Sequence, residues 1–238
     1  MLLFYIRHGD PIYNPDQLTP LGHRQAEAVA KRLSLIGVDK IYSSTSNRAY
    51  QTAVPTAEML KQEITKLDFC NEAHAWNNMT YISSNEKRGW IPDNPEPLEL
   101  LCSPEMKELG ERWYDHPKFK PYNYKKYLEK TDADIDALLE KHGYVHNRSR
   151  RIYTSENPTE ERIAIFAHAG FGSVFFSSLL DIPYSEFCLH YDMSHSSMTV
   201  IDFRKYGEVF IPKVLTFSND SHIYKEGLPT AYNNKIRF

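Results

Sequence analysis

Two histidines, two arginines and a serine pair stand in this 238-residue chain where a phosphoryl group could be held and attacked. Arg7-His8-Gly9 closes the apolar run 2–6. Ala167-His168-Ala169-Gly170 closes a second apolar run, 162–167, just before a helical pattern. Ser43-Ser44 ends a third run, and Arg48 follows four residues later in the first turn of another helix. In open α/β sheets, side chains beyond the carboxyl ends of strands face the ligand crevice. Helix N-termini add free N–H groups that favour anions there, and a guanidinium fork matches phosphate oxygens in pairs. Alone, a strand-end histidine reads as a hydrogen-bonded structural residue, and Arg48 as a surface cation. Their joint placement at one sheet edge points to phosphoryl chemistry.

The elements that must position these residues are legible. Leu-Leu-Phe-Tyr-Ile at 2–6 is continuously apolar, as a buried parallel strand requires. Thr19 offers an N-cap, Pro20 the first helical position and Gly37 a stop. Apolar residues between them at Leu21, Ala26, Val29, Ala30, Leu33 and Ile36 predict a helix over 20–36. Strands are predicted at 38–42 and 64–69, with a helix at 46–61 between them. A strand at 162–167, a helix at 170–181 and a strand pair, 198–203 and 209–217, about Gly207 follow. This alternation predicts an α/β fold, a three-layer α/β/α sandwich around a mostly parallel sheet, as one domain spanning 1–238. The stretch 73–150 breaks the pattern. It holds Trp76, Trp90 and Trp113 and many prolines, and its clearest helix is predicted from the Thr131 capping pattern to Gly143. It reads as a helical and loop insertion capping the site, with Trp76 and Trp90 either stacking on a substrate or forming the insertion's own core.

Composition narrows the function classes. Apolar residues are 41% and charged residues 25%, which excludes disordered, collagen-like and coiled-coil chains. The 28 Lys and Arg nearly balance 31 Asp and Glu, a net charge of −3, so neither nucleic acid nor an anionic membrane is an expected partner. Apolar runs fall short of the ~20 residues a bilayer demands. Cys70, Cys102 and Cys188 are odd in number and widely spaced, which suits free thiols in a reducing cytoplasm. Carboxylates do not cluster at metal-ligand spacing. The expected partner is a small phosphorylated substrate, with no metal and no cofactor; self-association is left open.

The ordered blocks resemble the histidine phosphatase, or phosphoglycerate-mutase-like, superfamily in its first branch. Arg7-His8-Gly9 with Asn14, Leu18-Thr19-Pro20-Leu21-Gly22 with Gln25-Ala26, Ser43-Ser44 with Arg48-Ala49-x-Gln51-Thr52-Ala53, and His168-x-Gly170 all match its motifs. Ser196-Ser197-Met198-Thr199-Val200 and Ser221-His222-Ile223 resemble its late elements. The resemblance implies His8 as nucleophile, with Arg7, Arg48 and a protonated His168 around the phosphoryl oxygens and Asn14 as a further phosphate ligand. It implies a general acid after the third strand, a position Glu72 fills; the second branch would place an Asp directly after the late histidine, where this chain has Ala169. The expected reaction is metal-independent phosphomonoester hydrolysis through a phosphohistidine. A phosphoglycerate-type mutase and a non-catalytic phosphate-binding regulatory module are the alternatives. His222 is expected to be structural, and His195 carries no catalytic expectation.

Overall fold

A computed structural model of the chain describes residues 1–234 and 236. In chain order it contains β1 (Leu2–Arg7), a short hairpin of β2 (Pro11–Ile12) and β3 (Gln17–Leu18), α1 (Pro20–Ile36), β4 (Lys40–Ser44), α2 (Asn47–Leu60) and β5 (Ile64–Leu67). The long excursion that follows carries α3 (Glu72–Asn78), a hairpin of β6 (Thr80–Ile82) and β7 (Arg88–Trp90), α4 (Pro95–Leu101), α5 (Pro104–Leu109) and α6 (Tyr124–Lys141), and returns through β8 (Val145–Asn147) and β9 (Ile152–Thr154). The chain closes with β10 (Arg162–Ala167), α7 (Ala169–Leu180), α8 (Tyr184–His190), β11 (Met198–Tyr206), β12 (Val209–Asn219) and α9 (Ser221–Lys225).

Eight strands form one sheet in the order β5-β4-β10-β1-β11-β12-β9-β8. β5, β4, β10 and β1 are mutually parallel, and β11 and β9 oppose the rest, so the sheet is mostly parallel. Strand alternation divides the core. Phe4 and Ile6 join Val29, Leu33, Ala53 and Phe166 beneath α1 and α2. Leu3 and Tyr5 face the other way, among Phe171, Phe175 and Phe176 of α7. Helices thus cover both faces, as the sequence predicts. Thr19 caps α1 as expected, its side chain accepting from the Gly22 N–H at 3.0 Å.

The insertion differs from its expected form in two ways. α6 begins at Tyr124, seven residues before Thr131, because Tyr124 and Tyr127 bury themselves in the core and pull the helix start forward; Thr131 lies mid-helix and buried. β8 and β9 also join the main sheet through β12, so the excursion ends as a sheet edge. Trp113 is 1% exposed and stacks on Tyr124 and Tyr184, which makes it the aromatic centre of an apolar cluster continuous with α7.

His146 on β8 locks this edge to the helices. Its ring lies wholly buried, stacked 4.0 Å from Tyr153, with Nδ1 3.1 Å from Asp136 of α6 and Nε2 2.9 Å from Asp181 at the end of α7. Burial disfavours the imidazolium, but hydrogen bonds to the two carboxylates outweigh it and raise the pKa above the ordinary 6.5. A histidine with a raised folded pKa contributes its full stability below its unfolded pKa, about 6.5, and loses it as pH climbs through the folded value. The melting temperature should therefore fall between pH 6 and pH 9, and His146→Gln should flatten that slope while costing about 3 kcal/mol at the acid end. Calorimetry at both pH values checks this, and parallel wild-type and variant slopes would remove the assignment.

Candidate active site

The site is built where β1 and β10 end side by side, with Arg7 paired to Ala167 in the ladder. The residues just beyond are pinned by the backbone: His8 N–H donates to Ala167 O, and Ser196 N–H donates to His8 O. His168 is the N-cap of α7. Its carbonyl oxygen accepts from the Tyr5 hydroxyl at 2.7 Å. Arg48 enters from the first turn of α2. Four of the predicted residues thereby meet in one buried place: Arg7, His8, Arg48 and His168 are 1%, 2%, 8% and 0% exposed.

The motif residues that carry no charge brace the loop above them. Gly9 N–H donates to Thr52 Oγ1, Asp10 N–H to Gln25 Oε1, and Leu18 N–H to Gln51 Oε1, at 2.7–3.0 Å. A side chain at Gly22 would place its Cβ 2.3 Å from the Asp10 carbonyl oxygen, so α1 can approach this loop only with glycine there.

His8 Nδ1 lies 2.7 Å from the Gly9 carbonyl oxygen. A carbonyl can only accept, so Nδ1 carries the proton and Nε2 keeps its lone pair. Burial, then the nearby His168, Arg7 and Arg48, push the pKa of His8 well below its usual value. The ring is therefore biased towards its neutral form. His168, whose ring centroid is 5.2 Å away, is likewise held well below its usual pKa by burial and by Arg48 and Arg7. Its ring is biased towards the neutral form; the resemblance implies a protonated His168 around the phosphoryl oxygens.

Each cation keeps a donor in reserve. Arg7 donates Nη1 to Met193 O and Nη2 to Asn233 Oδ1, and Arg48 donates Nη1 to Asp16 Oδ1 at 2.7 Å. His168 Nε2 pairs with Ser44 Oγ at 2.9 Å. Arg7 Nε, Arg48 Nε and His168 Nδ1 remain buried with no partner among the described residues. Buried polar atoms without partners call for an explanation, and these three belong to residues close enough to act electrostatically on one another.

Glu72 opens α3, where Asn71 caps the helix, and its carboxylate bridges to the start of α7. Oε1 accepts from Gly170 N–H at 3.1 Å and Oε2 from Phe171 N–H at 2.9 Å. Burial raises its pKa above the usual carboxylate value, against the lowering pull of those N–H groups, Arg48 and Arg7. Asn14 is placed elsewhere: it is exposed, in a cis peptide bond with Pro15, and no hydrogen bond ties its side chain to the buried cluster. Of the other carboxylates near the loop and in the insertion, Asp10 is held by Thr19 Oγ1 at 2.7 Å, Glu105 by His116 and Glu111 by Arg151.

Three contributors escaped sequence reasoning. Asp16 orients Arg48; Asn233 of the C-terminal segment accepts from Arg7 and, at 3.3 Å, from the Tyr13 hydroxyl; His195 stacks its ring 5.9 Å from His8. None has a spacing signal, because each acts through a contact between distant parts of the chain. His222 is structural as expected: Nε2 donates to Ser196 O at 2.8 Å, and burial holds its pKa down to about 4. Among the described residues no group of three or more His, Cys, Asp or Glu side chains could hold a metal ion, and no helix is long and apolar enough to cross a membrane.

A cationic, histidine-bearing pocket at the carboxyl edge of an α/β/α sandwich defines a phosphoryl-binding class of site. Residues 3–116 match the model of the histidine phosphatase superfamily (branch 1). The chain is 37% identical over 147 residues to the Hydrogenobacter thermophilus protein provisionally named phosphoserine phosphatase 2, covering 58% of this chain and 64% of that one. Phosphoserine phosphatase 1 of the same organism is 31% identical over 114 residues, 41% of this chain and 54% of that protein. The chain therefore matches less than two thirds of the length of either relative. Among solved structures, phosphoserine phosphatase of Entamoeba histolytica, in complex with 3-phosphoglyceric acid, shares the fold with a TM-score of 0.58 at 19% identity, over 93% of this chain and 98% of that one. A mycobacterial glucosyl-3-phosphoglycerate phosphatase does so with a TM-score of 0.58 at 18% identity, over 91% and 98%.

Gly170 lets Glu72 and Trp90 pack closely against the start of α7. A Cβ there would lie 2.6 Å from Trp90 and 2.9 Å from Glu72 Oε1. Gly170→Ala should shift Trp90 and Glu72 together, costing about 1–3 kcal/mol of stability and changing tryptophan emission. Denaturant unfolding followed by fluorescence checks this; an unchanged midpoint and spectrum would show that the helix start yields freely.

Proposed function

We propose that the protein is a metal-independent phosphomonoester hydrolase that transfers the phosphoryl group of a small phosphorylated metabolite to His8 and then to water. The observation that carries this reading is the trio of buried, unpartnered nitrogens, Arg7 Nε, Arg48 Nε and His168 Nδ1, beside a histidine biased towards its neutral form. A phosphate dianion offers the acceptors they lack. The family match and the names of the relatives support a phosphatase.

In this reading His8 Nε2 attacks phosphorus in line, the ester P–O bond breaks, and the departing alkoxide takes the proton of Glu72. Arg7, Arg48 and His168 surround the equatorial oxygens and neutralise charge as it develops. Ser44 Oγ accepts from Ser46 N–H. Donation of its own proton to His168 Nε2 would leave the hydrogen on Nδ1, directed at phosphate. Water then attacks the phosphohistidine, Glu72 carboxylate takes its proton, and inorganic phosphate leaves. Hydrolysis is favoured over a mutase because the insertion brings no run of arginines to enclose and hold a sugar acid during a second transfer. Retention of the whole cationic set argues against a module that only binds phosphate.

His8→Ala should abolish turnover and leave the fold intact. Incubated with labelled ester in excess EDTA, the wild type should acquire acid-labile, alkali-stable phosphate, and the variant should not. Wild-type turnover in His8→Ala, or a strict need for added Mg²⁺ or Zn²⁺, overturns the mechanism.

Glu72 yields a sharper test. Alkyl phosphates need its proton, whereas p-nitrophenolate leaves without one. Glu72→Gln should slow an alkyl phosphate by about 10²–10⁴, slow p-nitrophenyl phosphate far less, and show a burst with the latter as phosphohistidine accumulates. Because its pKa is raised, wild-type kcat/KM on alkyl esters should fall as pH climbs through that value, and the variant should lose this alkaline limb. Equal losses on both esters without a burst would leave Glu72 a structural residue.

A further inference from the structure

Beyond the cationic pocket the site opens into a cleft of about 500 Å³. Met193 and Asn233, the two acceptors of Arg7, stand in its wall, and so does Gly170, the donor to Glu72. The cleft therefore adjoins the residues that hold Arg7 and Glu72, and in the phosphatase reading the leaving alcohol of a bound ester would lie on this side.

The charge of its wall is opposite to that of the pocket. Asp93, after β7, and Asp192, after α8, both line it, and no Lys or Arg is found among its described lining residues; His190 is the one imidazole there. Neither carboxylate has a Lys, Arg or His within ion-pair distance among the described residues. Burial and the charge of Asp192 raise the pKa of Asp93, and the charge of Asp192 is felt in turn by Arg7 at the inner end of the cleft. The aromatic rings of Trp90, Tyr184 and Tyr191 line the same cleft. Ring faces beside unpaired carboxylates attract ammonium groups, and they repel carboxylate-bearing ligands.

We propose that this cleft is the leaving-group subsite, and that Asp93 and Asp192, together with these rings, select phosphomonoesters whose alcohol carries an ammonium group. The proposal rests on the phosphatase reading. Phosphate at one end and ammonium at the other would match the polarity of the site from Arg7 to Asp93, whereas a phosphorylated hydroxy acid would set its carboxylate against two others.

The test compares kcat/KM for O-phosphoethanolamine, phosphocholine, ethyl phosphate and phosphoglycolate, with p-nitrophenyl phosphate as the activated ester. The wild type should favour the two ammonium esters over ethyl phosphate by about tenfold or more and should turn over phosphoglycolate least. Asp93→Asn and Asp192→Asn, made singly, should each narrow the ammonium preference, and together bring it close to one. Because the readout is a ratio within each protein, a general loss of activity does not imitate it. A wild-type ratio near one, a preference for phosphoglycolate, or a preference that survives both substitutions overturns the proposal while leaving the phosphatase reading in place. Inertness of the wild type towards every ester, p-nitrophenyl phosphate included, overturns both together.

Discussion

The structure is organised around the cost of burying two guanidinium groups beside two histidines. Arg7, Arg48, His8 and His168 are almost wholly buried, and three of their nitrogens have no partner among the described residues. Each unsatisfied donor costs about 1–3 kcal/mol, and the arrangement persists only because collapse is prevented elsewhere. The ladder of β1 with β10 and β11 fixes the strand ends. Buried Gln25 and Thr52, with Gln51, hold the loop that follows by its backbone. His222 pins the Ser196 turn from behind. These polar side chains accept or donate locally, so that the cations need not.

Acidic groups are present, but at a remove. Asp16 engages one nitrogen of Arg48 and aims the fork, leaving Nε open. Glu72 is satisfied by the helix start of α7, where two N–H groups take its oxygens. Neither neutralises the pocket. The insertion extends this separation of charge, since it brings Glu72 and Trp90 to the start of α7 but buries another indole, Trp113, in a core shared with α7 and α8.

Much of this was legible in the sequence because it depends on short-range signals. The Thr19-Pro20 start of α1, the apolar runs of β1 and β10, and the histidines closing them are decided by neighbouring residues, and the structure puts them where the pattern does. The boundaries that moved answer to distant ones. α6 starts at Tyr124 because aromatic burial outweighs the Thr131 capping pattern, and β8 and β9 find the sheet through β12, far along the chain. The same holds within the site. Arg7, His8, Arg48, Glu72 and His168 could be picked out by motif, but Asp16 reaches Arg48 across 32 residues and Asn233 reaches Arg7 across 226. Asn14, which matches by sequence position, lies exposed at the surface.

Desolvation also sets the proton inventory of the site, and in the direction the proposed chemistry requires. It depresses both histidines and raises Glu72, so the nucleophile is biased towards its neutral form and the acid towards its protonated form. A phosphate dianion entering this space would shift the groups unequally. It would raise Glu72 further, since two negative charges cannot share a dry site cheaply. It would also raise His168, whose unpartnered Nδ1 gains an acceptor. His8 is different, because its Nδ1 proton is already committed to the Gly9 carbonyl and only Nε2 remains for phosphorus. In the proposed chemistry, substrate binding would supply the charge that the family resemblance implies for His168, without protonating His8 Nε2.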